Sequence, residues 1–187
     1  MPPIYVGVVN MCGNKNGCSF LLNVLKDMGC RVKVIEKDMH ILQSIKSSKI
    51  RHWIFTGTTM HKQPLPPPVP IEIFSLANKV FLLICYSMES ALQQYGYPLL
   101  QRHVTKTEYV KIPFDTRCIL CKDIPNPMRI YRNHSLFIPA RAIHMKVLSS
   151  YEGETMIVLY KNSLLTQFHP ERSVHGRILL KNWLYLT

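Results

Sequence analysis

The segment VFLLICYSMESALQQYG, residues 80–96, changes from an unbroken apolar run to a helical repeat within a few positions. Val80 to Cys85 is apolar throughout, as in a strand that is covered on both faces of a parallel sheet. The next apolar residues follow the spacing i, i+3, i+4, i+7, at Met88, Ala91, Leu92 and Tyr95. Gly96 predicts the end of this helix. Cys85 is therefore expected where a buried strand turns sharply into a helix.

This turn predicts an unusual environment for the Cys85 thiol. A sharp strand-to-helix turn pushes the side chain out above the sheet edge, at the positive end of a helix dipole that favours thiolate. The backbone N–H of Tyr86 would point to the same place and could stabilise an oxyanion. Position alone leaves two interpretations open: a nucleophile, or a cysteine that is buried as a small hydrophobe.

A second motif near the C-terminus favours the nucleophile. The sequence QFHPE, residues 167–171, follows a β-type run that delivers His169 to the end of a strand. Pro170 forces a turn that can bring the Glu171 carboxylate back to the imidazole. A base that is oriented by a carboxylate and faces a thiol from another strand is the general constellation of nucleophilic catalysis.

Strand-like runs alternate with helical repeats in the first half of the chain. Runs at 4–9, 31–35 and 53–55 predict strands, and repeats at 20–28 and 41–45 predict helices. The alternation predicts a single α/β domain over residues 1–187, a three-layer sandwich with a mostly parallel central sheet.

The second half of the chain has a different hydrophobic pattern. Short β-type runs at 109–112, 117–120 and 156–160 are separated by turn residues. Ser173 can cap a last helix, whose face is expected to pack on the sheet through Leu179, Trp183 and Leu186. The proline-rich segment 63–70 predicts a loop, which is either a stiff connection or a ligand for an SH3-like partner.

Composition narrows the class of protein. With 47% hydrophobic and 18% charged residues, the chain can bury a core and is unlike a disordered protein. No apolar run approaches the roughly 20 residues that a membrane helix needs, and the first residues lack the features of a signal peptide. Six irregularly spaced cysteines fit reduced thiols, so a cytoplasmic protein is expected.

The formal net charge of +12 could attract nucleic acid or an acidic partner. The basic residues are scattered, and no arginine-rich tract or RNA-binding motif is present. We therefore expect a basic surface without a dedicated nucleic-acid site. Cys118 and Cys121 form a CxxC pair without a second pair, which favours packing in a β-run over a zinc site. No metal is predicted.

The two motifs together resemble those of class I (triad) glutamine amidotransferases. Residues 84–92, ICYSMESAL, are similar to the nucleophile elbow of the family, G-[IV]-C-x-G-x-Q. Residues 166–171, TQFHPE, are similar to its motif [VI]-Q-[FW]-H-P-E. The resemblance covers the chain from the first strand to the last helix and implies the flavodoxin-like fold of that family.

The resemblance implies hydrolysis of the side-chain amide of glutamine without a cofactor. Cys85 would be the nucleophile, His169 the base, and Glu171 the residue that orients the base. The ammonia would pass to a synthase on a separate chain, because no synthase domain is attached.

The resemblance also assigns the supporting positions. The segment 56–58 corresponds to the oxyanion loop, so the oxyanion would be stabilised by the N–H groups of Tyr86 and of Gly57 or Thr58. Glutamine would be held by Glu89 and by the segment that corresponds to N-H-x-[FY], namely Asn133, His134, Ser135 and Leu136.

Five positions depart from the family pattern, which has glycine or glutamine there: Thr58, Leu83, Ser87, Glu89 and Ser135. Lost glycines could distort the elbow, and a carboxylate at position 89 would repel the substrate carboxylate and raise the pKa of Cys85. Two functions stay open. One is an active glutaminase with unusual substrate contacts, and the other is a binding or structural subunit that uses its basic surface. A hydrolase of γ-glutamyl bonds is a third alternative.

Overall fold

A seven-stranded sheet forms the centre of the protein. The computed structural model describes residues 3–12, 17–38, 40–58 and 67–186. The strands are β1 (Tyr5–Asn10), β2 (Arg31–Glu36), β3 (His52–Phe55), β4 (Val80–Ile84), β5 (Leu100–Ile112), β6 (Met128–Phe137), β7 (Lys146–Tyr151), β8 (Glu154–Tyr160) and β9 (Ser163–Thr166). The central sheet has the order β2-β1-β3-β4-β9-β8-β7, and β5 and β6 form a separate antiparallel pair. Strands β1, β2, β3, β4 and β9 are parallel, whereas β8 and β7 add antiparallel pairs at one edge.

Helices cover both faces of this sheet. They are α1 (Ser19–Asp27), α2 (Ile41–Ser47), α3 (Tyr86–Gln94) and α4 (Val174–Leu186). Leu25 of α1 and Trp183 of α4 share one buried cluster with Leu82 of β4. Helices α2 and α3 contribute to a second cluster, together with Phe81 and Leu83 of the same strand. The predicted three-layer α/β sandwich with a mostly parallel sheet is therefore confirmed.

The centre of the sheet is fully apolar, as expected for strands with helices on both faces. All five residues of β4 are buried. Close packing between strands depends on Gly7 in β1, because a methyl group at this position would lie 2.2 Å from the ring of Trp53 in β3. The parallel strands thus place their carboxyl ends, and the turns that follow them, at a common edge.

Two predictions about local structure are wrong. Residues 117–120 do not form a strand, since Ile119–Cys121 is a 3-10 helix. The Asp115 carboxylate accepts hydrogen bonds from the backbone and side chain of Arg117, which favours a turn over an extended chain. Leu186 is 42% exposed at the end of α4, whereas Leu179 and Trp183 are buried as predicted.

Helix ends agree with the sequence patterns. The Ser173 hydroxyl accepts a hydrogen bond from the Gly176 N–H at 3.1 Å and so caps α4. Gly29 and Gly96, which follow α1 and α3, have φ values of 78° and 83°. Of the predicted proline-rich loop, residues 63–66 lie outside the described residues. In the described part of the chain, no helix has the length and apolar character needed to span a membrane.

Candidate active site

Cys85 occupies the turn between β4 and α3. Its φ of 52° lies in the left-handed region, which non-glycine residues enter at an energetic cost. The turn is fixed on both sides. The Cys85 N–H donates to the Thr166 carbonyl at 2.7 Å, and the Cys85 carbonyl accepts from the Glu89 N–H at 3.0 Å in the first turn of α3. The predicted strand-to-helix turn is therefore present, with Cys85 at its apex.

Ser87 stands where the family pattern has a glycine, and its side chain strengthens the turn. The Ser87 hydroxyl is fully buried and donates to the Thr56 carbonyl at 2.6 Å. The Thr56 hydroxyl in turn accepts the Met11 N–H at 2.9 Å. These hydrogen bonds tie the start of α3 to the segment 56–58 that follows β3.

His169 and Glu171 form a hydrogen-bonded pair at the end of β9. The Glu171 carboxylate oxygen Oε1 lies 3.0 Å from His169 Nδ1, and a 3-10 helix, Pro170–Arg172, produces the required turn. Burial on its own would raise the pKa of Glu171, but attraction to His169 and hydrogen bonds to His169 and the backbone lower it. The carboxylate can therefore orient the ring and leave Nε2 for other contacts.

Gly57 lies between the thiol and the imidazole. A methyl group at this position would be 3.2 Å from Cys85 Cβ and equally 3.2 Å from His169 Cε1. Only a glycine leaves this space open without displacing either neighbour. The structure thus brings Cys85, His169, Glu171 and the backbone of Gly57 together at the carboxyl edge of the sheet.

A cavity of about 170 Å³ adjoins this cluster. It is lined by Gly57, Thr58, His169 and Glu171, by Cys12 after β1, and by Cys18 and Phe20 at the start of α1. Of the residues predicted to hold glutamine, Asn133 lines the cavity, whereas Glu89, His134, Ser135 and Leu136 do not. The sequence did not indicate the contribution of Cys12, Cys18 and Phe20, because no catalytic motif includes them.

The Cys85 thiol is protected from solvent and is only 6% exposed. Burial raises the pKa of Cys85 well above its ordinary value, and the charges of Glu89 and Glu171 add to this effect. The Tyr86 N–H opposes the shift by a hydrogen bond to the sulfur. The helix dipole was expected to favour thiolate, but loss of solvation outweighs it in the free protein.

Glu89 is buried below the thiol, with a side chain that lies outside the cavity lining. Its exposed fraction is 1%, and the side-chain amide Nε2 of Gln167 donates to Glu89 Oε1 at 2.6 Å. Burial raises the pKa of Glu89 to about 7, and the charge of Glu154 acts in the same direction, while the Gln167 hydrogen bond lowers it. Glu89 and Gln167 therefore form a buried, hydrogen-bonded polar pair close to Cys85.

His134 belongs to a buried charged network and not to the cavity. His134 Nε2 lies 2.9 Å from Glu154 Oε2 in β8, and Arg102 pairs with the same carboxylate. Arg132, which is 1% exposed, contacts Glu108, Glu152 and Glu154. No sequence motif could have indicated this network, because its members come from strands whose pairing is set by the fold.

Cys118 and Cys121 do not line the active-site cavity and are both buried. Burial and a hydrogen bond to Cys118 raise the pKa of Cys121 to about 12. Among the described residues, no group of three or more His, Cys, Asp or Glu side chains is arranged to hold a metal ion.

Comparison with known proteins gives the family. The sequence model described as "Glutamine amidotransferase class-I" matches residues 16–185. No curated protein sequence matches significantly. A protein from Thermoplasma acidophilum, described as part of a putative GMP synthase, has a similar fold, with a TM-score of 0.73, 16% identity and coverage of 98% of this chain and 94% of that one.

A second solved structure, of PurLQS from Thermotoga maritima, superposes with a TM-score of 0.75 and 18% identity, and each chain is covered completely. At these identities the two structures show the fold, while the family assignment rests on the sequence model, which matches most of the chain. The chain therefore belongs to the class I glutamine amidotransferase family.

Proposed function

We propose that the protein hydrolyses the side-chain amide of glutamine through Cys85, His169 and Glu171. The observation that carries this proposal is the position of Gly57, where an added methyl group would lie 3.2 Å from both Cys85 Cβ and His169 Cε1, while His169 is held by Glu171 at 3.0 Å. The residues proposed as nucleophile, base and orienting carboxylate thus lie beside a cavity, which supports the proposal.

The raised pKa of Cys85 defines how the reaction would begin. The thiol stays protonated in the free protein, so His169 has to accept its proton as the sulfur attacks the carboxamide carbon. The carbonyl oxygen then becomes an oxyanion, which the N–H groups of Tyr86 and of Gly57 or Thr58 would stabilise. Loss of one such donor typically costs about 100- to 1,000-fold in rate.

His169 would complete both halves of the reaction. It returns the proton to the departing nitrogen, so that the C–N bond breaks, ammonia leaves and a γ-glutamyl thioester remains on Cys85. It then takes a proton from water, whose oxygen attacks the thioester and releases glutamate and the thiol. Glu171 keeps the Nδ1 proton of His169 in place, which holds Nε2 toward the sulfur and the water.

Recognition of glutamine would differ from the family pattern. Asn133 lines the cavity, but Glu89 is occupied by Gln167 and is 1% exposed. We therefore propose that Glu89 does not contact the substrate and acts indirectly, by positioning the start of α3. The proposed acceptor of the ammonia is a synthase on a separate chain, and six cysteines without a disulfide fit a reducing compartment such as the cytoplasm.

The test is glutamine turnover by the wild-type chain and by Cys85→Ser, measured as glutamate release with and without candidate synthase partners. Turnover should fall by at least about 1,000-fold in Cys85→Ser, because a hydroxyl beside the same base is a far weaker nucleophile than a thiol. Cys30→Ser is the matched control, since Cys30 is also a buried free thiol but lies outside the cavity lining. It should retain turnover, and circular dichroism should show all three proteins to be folded.

A second function, a binding or structural subunit without catalysis, is favoured by one observation. Cys85 is 6% exposed and is not part of the cavity wall, so the thiol is poorly accessible in the free protein. A glutamine-mimicking electrophile separates the two functions. Labelling of Cys85 supports the glutaminase, whereas neither labelling nor turnover in the presence of partners would establish the non-catalytic role.

A further inference from the structure

A second pocket, of about 500 Å³, lies beside the start of α4. It is lined by Tyr109, Arg129, Arg172, Ser173, Val174 and His175, and we call it the Arg129 pocket. Arg172 also lines the active-site cavity, so the two spaces share one wall. Neither the proposed reaction nor any sequence motif uses the Arg129 pocket.

The Arg129 pocket is positively charged and contains no carboxylate in its described lining. Within the described part of the chain, neither Arg129 nor Arg172 forms an ion pair, in contrast to Arg102, Arg117 and Arg132. Two guanidinium groups at one concave site produce a local positive potential that attracts anions, although the Glu171 carboxylate, which lies outside the lining, also attracts Arg172.

Aromatic rings hold both guanidinium groups in place. The Arg129 guanidinium carbon lies 4.6 Å from the ring centroid of Tyr109. That of Arg172 lies 4.9 Å from the centroid of Phe20 and 5.6 Å from that of Tyr131. Stacking orders the planar groups but leaves their N–H edges available, so little conformational entropy remains to be lost when a ligand binds.

His175 adds a directed hydrogen-bond donor. Its Nδ1 accepts the backbone N–H of Arg129 at 2.8 Å, which places the ring hydrogen on Nε2. The same hydrogen bond fixes the backbone of Arg129 relative to the first turn of α4. The Tyr109 hydroxyl donates to the Arg172 carbonyl at 3.2 Å and holds the other wall. The side chains of Arg129 and Arg172 are exposed, but the aromatic contacts restrict their motion.

We propose that the Arg129 pocket binds a phosphate monoester group of a small ligand. A dianion matches two forked cations and can form bidentate hydrogen bonds with each, which a single carboxylate cannot do. The volume of about 500 Å³ leaves room for the organic part of the ligand beside the phosphate. This inference is independent of the glutaminase proposal, because it rests on a different pocket and its test measures binding.

The test is calorimetric titration of the wild-type protein with inorganic phosphate at constant ionic strength, and then with a nucleoside monophosphate and the corresponding nucleoside. Saturable binding is expected for both phosphate-containing probes and not for the nucleoside. Tighter binding of the monophosphate is the expected result and would identify an organic phosphate as the ligand. Tighter binding of inorganic phosphate would overturn the proposal of a phosphate monoester and identify free phosphate as the ligand.

Two variants make the result specific to the pocket. Arg129→Gln should weaken phosphate binding by at least about tenfold, because charge-assisted hydrogen bonds are lost. Arg141→Gln removes the same charge from an exposed position outside the pocket and should bind phosphate as the wild type does. Equal weakening in both variants, or no saturable binding to the wild type, would overturn the proposal.

Discussion

A carboxyl group that is buried as deeply as Glu89 must either lose its charge or gain strong partners. Gln167 supplies one hydrogen bond at 2.6 Å, while Glu154 adds a negative charge nearby. The result is a pKa of about 7, compared with 4.5 for the ordinary carboxyl. At neutral pH, Glu89 therefore lies close to its midpoint, and its ionised form disfavours the Cys85 thiolate.

Replacement of Glu89 by Gln should stabilise the protein at alkaline pH. The folded protein keeps a proton on Glu89 between pH 4.5 and about 7, where the unfolded chain has lost it, so the wild type loses stability as pH rises through this window. The loss is on the order of 3 kcal/mol. Urea denaturation at pH 5 and pH 8 should show this decrease for the wild type and a smaller one for Glu89→Gln.

Glu72→Gln is the control for that experiment, because Glu72 is an exposed carboxylate of the same type. Its stability should follow the wild-type dependence on pH. If Glu89→Gln instead shows the wild-type decrease between pH 5 and pH 8, then Glu89 is ionised in the folded protein and the burial argument fails.

The sequence predicted which residues converge and that Glu89 would raise the pKa of Cys85, but it did not predict the larger effect of burial. Cys85, His169 and Glu171 could be found because a strand-to-helix turn and a His-Pro-Glu turn each define a local geometry. The contact of Glu89 with Gln167 could not be predicted from the sequence. It depends on the register of β9 against β4, which brings Thr166 opposite Ile84. The burial of the thiol, which is the largest cause of the raised pKa of Cys85, also depends on the fold and could not be predicted from the sequence pattern.

Among the elements, α4 links the candidate active site to the hydrophobic core. It begins directly after the Pro170–Arg172 turn, and its Leu179 and Trp183 are buried against the sheet. The guanidine nitrogen Nε of Arg177 donates to the Glu171 carbonyl at 2.9 Å, so the first turn of α4 also holds Glu171 in place. The start of this helix thus contributes both to stability and to the position of Glu171.

Ser173→Ala should destabilise the protein by about 1 kcal/mol, because the Gly176 N–H loses its hydrogen-bond acceptor at the start of α4. Urea denaturation measures the change in the free energy of unfolding. Ser75→Ala is a suitable control, since the Ser75 hydroxyl donates to the Glu72 carbonyl at an exposed site. The control should change stability by less than about 0.5 kcal/mol, and a change as small as this in Ser173→Ala would show that the cap is not stabilising.

Element boundaries were predicted well where the hydrophobic pattern is long and poorly where side chains compete with the backbone. Strand β4 could be predicted directly from its apolar run, and all of its residues are buried. The apolar residues at 117–120 gave the same signal, but Asp115 caps a turn there through Arg117. A short apolar run next to an Asp therefore carries less information than a long one.

At the scale of the whole molecule, the two-stranded sheet β5–β6 has to be joined to the central sheet. The buried network makes this connection, because Arg102 of β5 and His134 of β6 both pair with Glu154 of β8. Arg132 extends the network to Glu108 and Glu152. Strand β6 also carries Asn133, which lines the cavity, so the network holds one wall of the candidate active site.

Glu154→Gln should destabilise the protein by about 3 kcal/mol or more at pH 7, because two arginines and a histidine lose a fully buried counter-charge. Burial on its own would raise the pKa of Glu154, but His134 and Arg102 lower it below 4.5. The contribution of this carboxylate is therefore present above pH 4.5 and is lost as pH falls through its folded-state pKa. Denaturation curves of wild type and variant should differ at pH 7 and converge in acid.

The comparison with Glu152→Gln decides whether the destabilisation comes from loss of the buried network or would follow the loss of any acidic residue. Glu152 pairs with the same arginines but its side chain is 41% exposed, so its replacement should cost no more than about 1 kcal/mol. Hydrogen exchange gives the spatial information. In Glu154→Gln, amide protection should fall in β5 and β6 more than in β1, β3 and β4, since the two-stranded sheet depends on this carboxylate for its attachment. Uniform loss of protection across both sheets would mean that β5 and β6 are held by apolar packing alone.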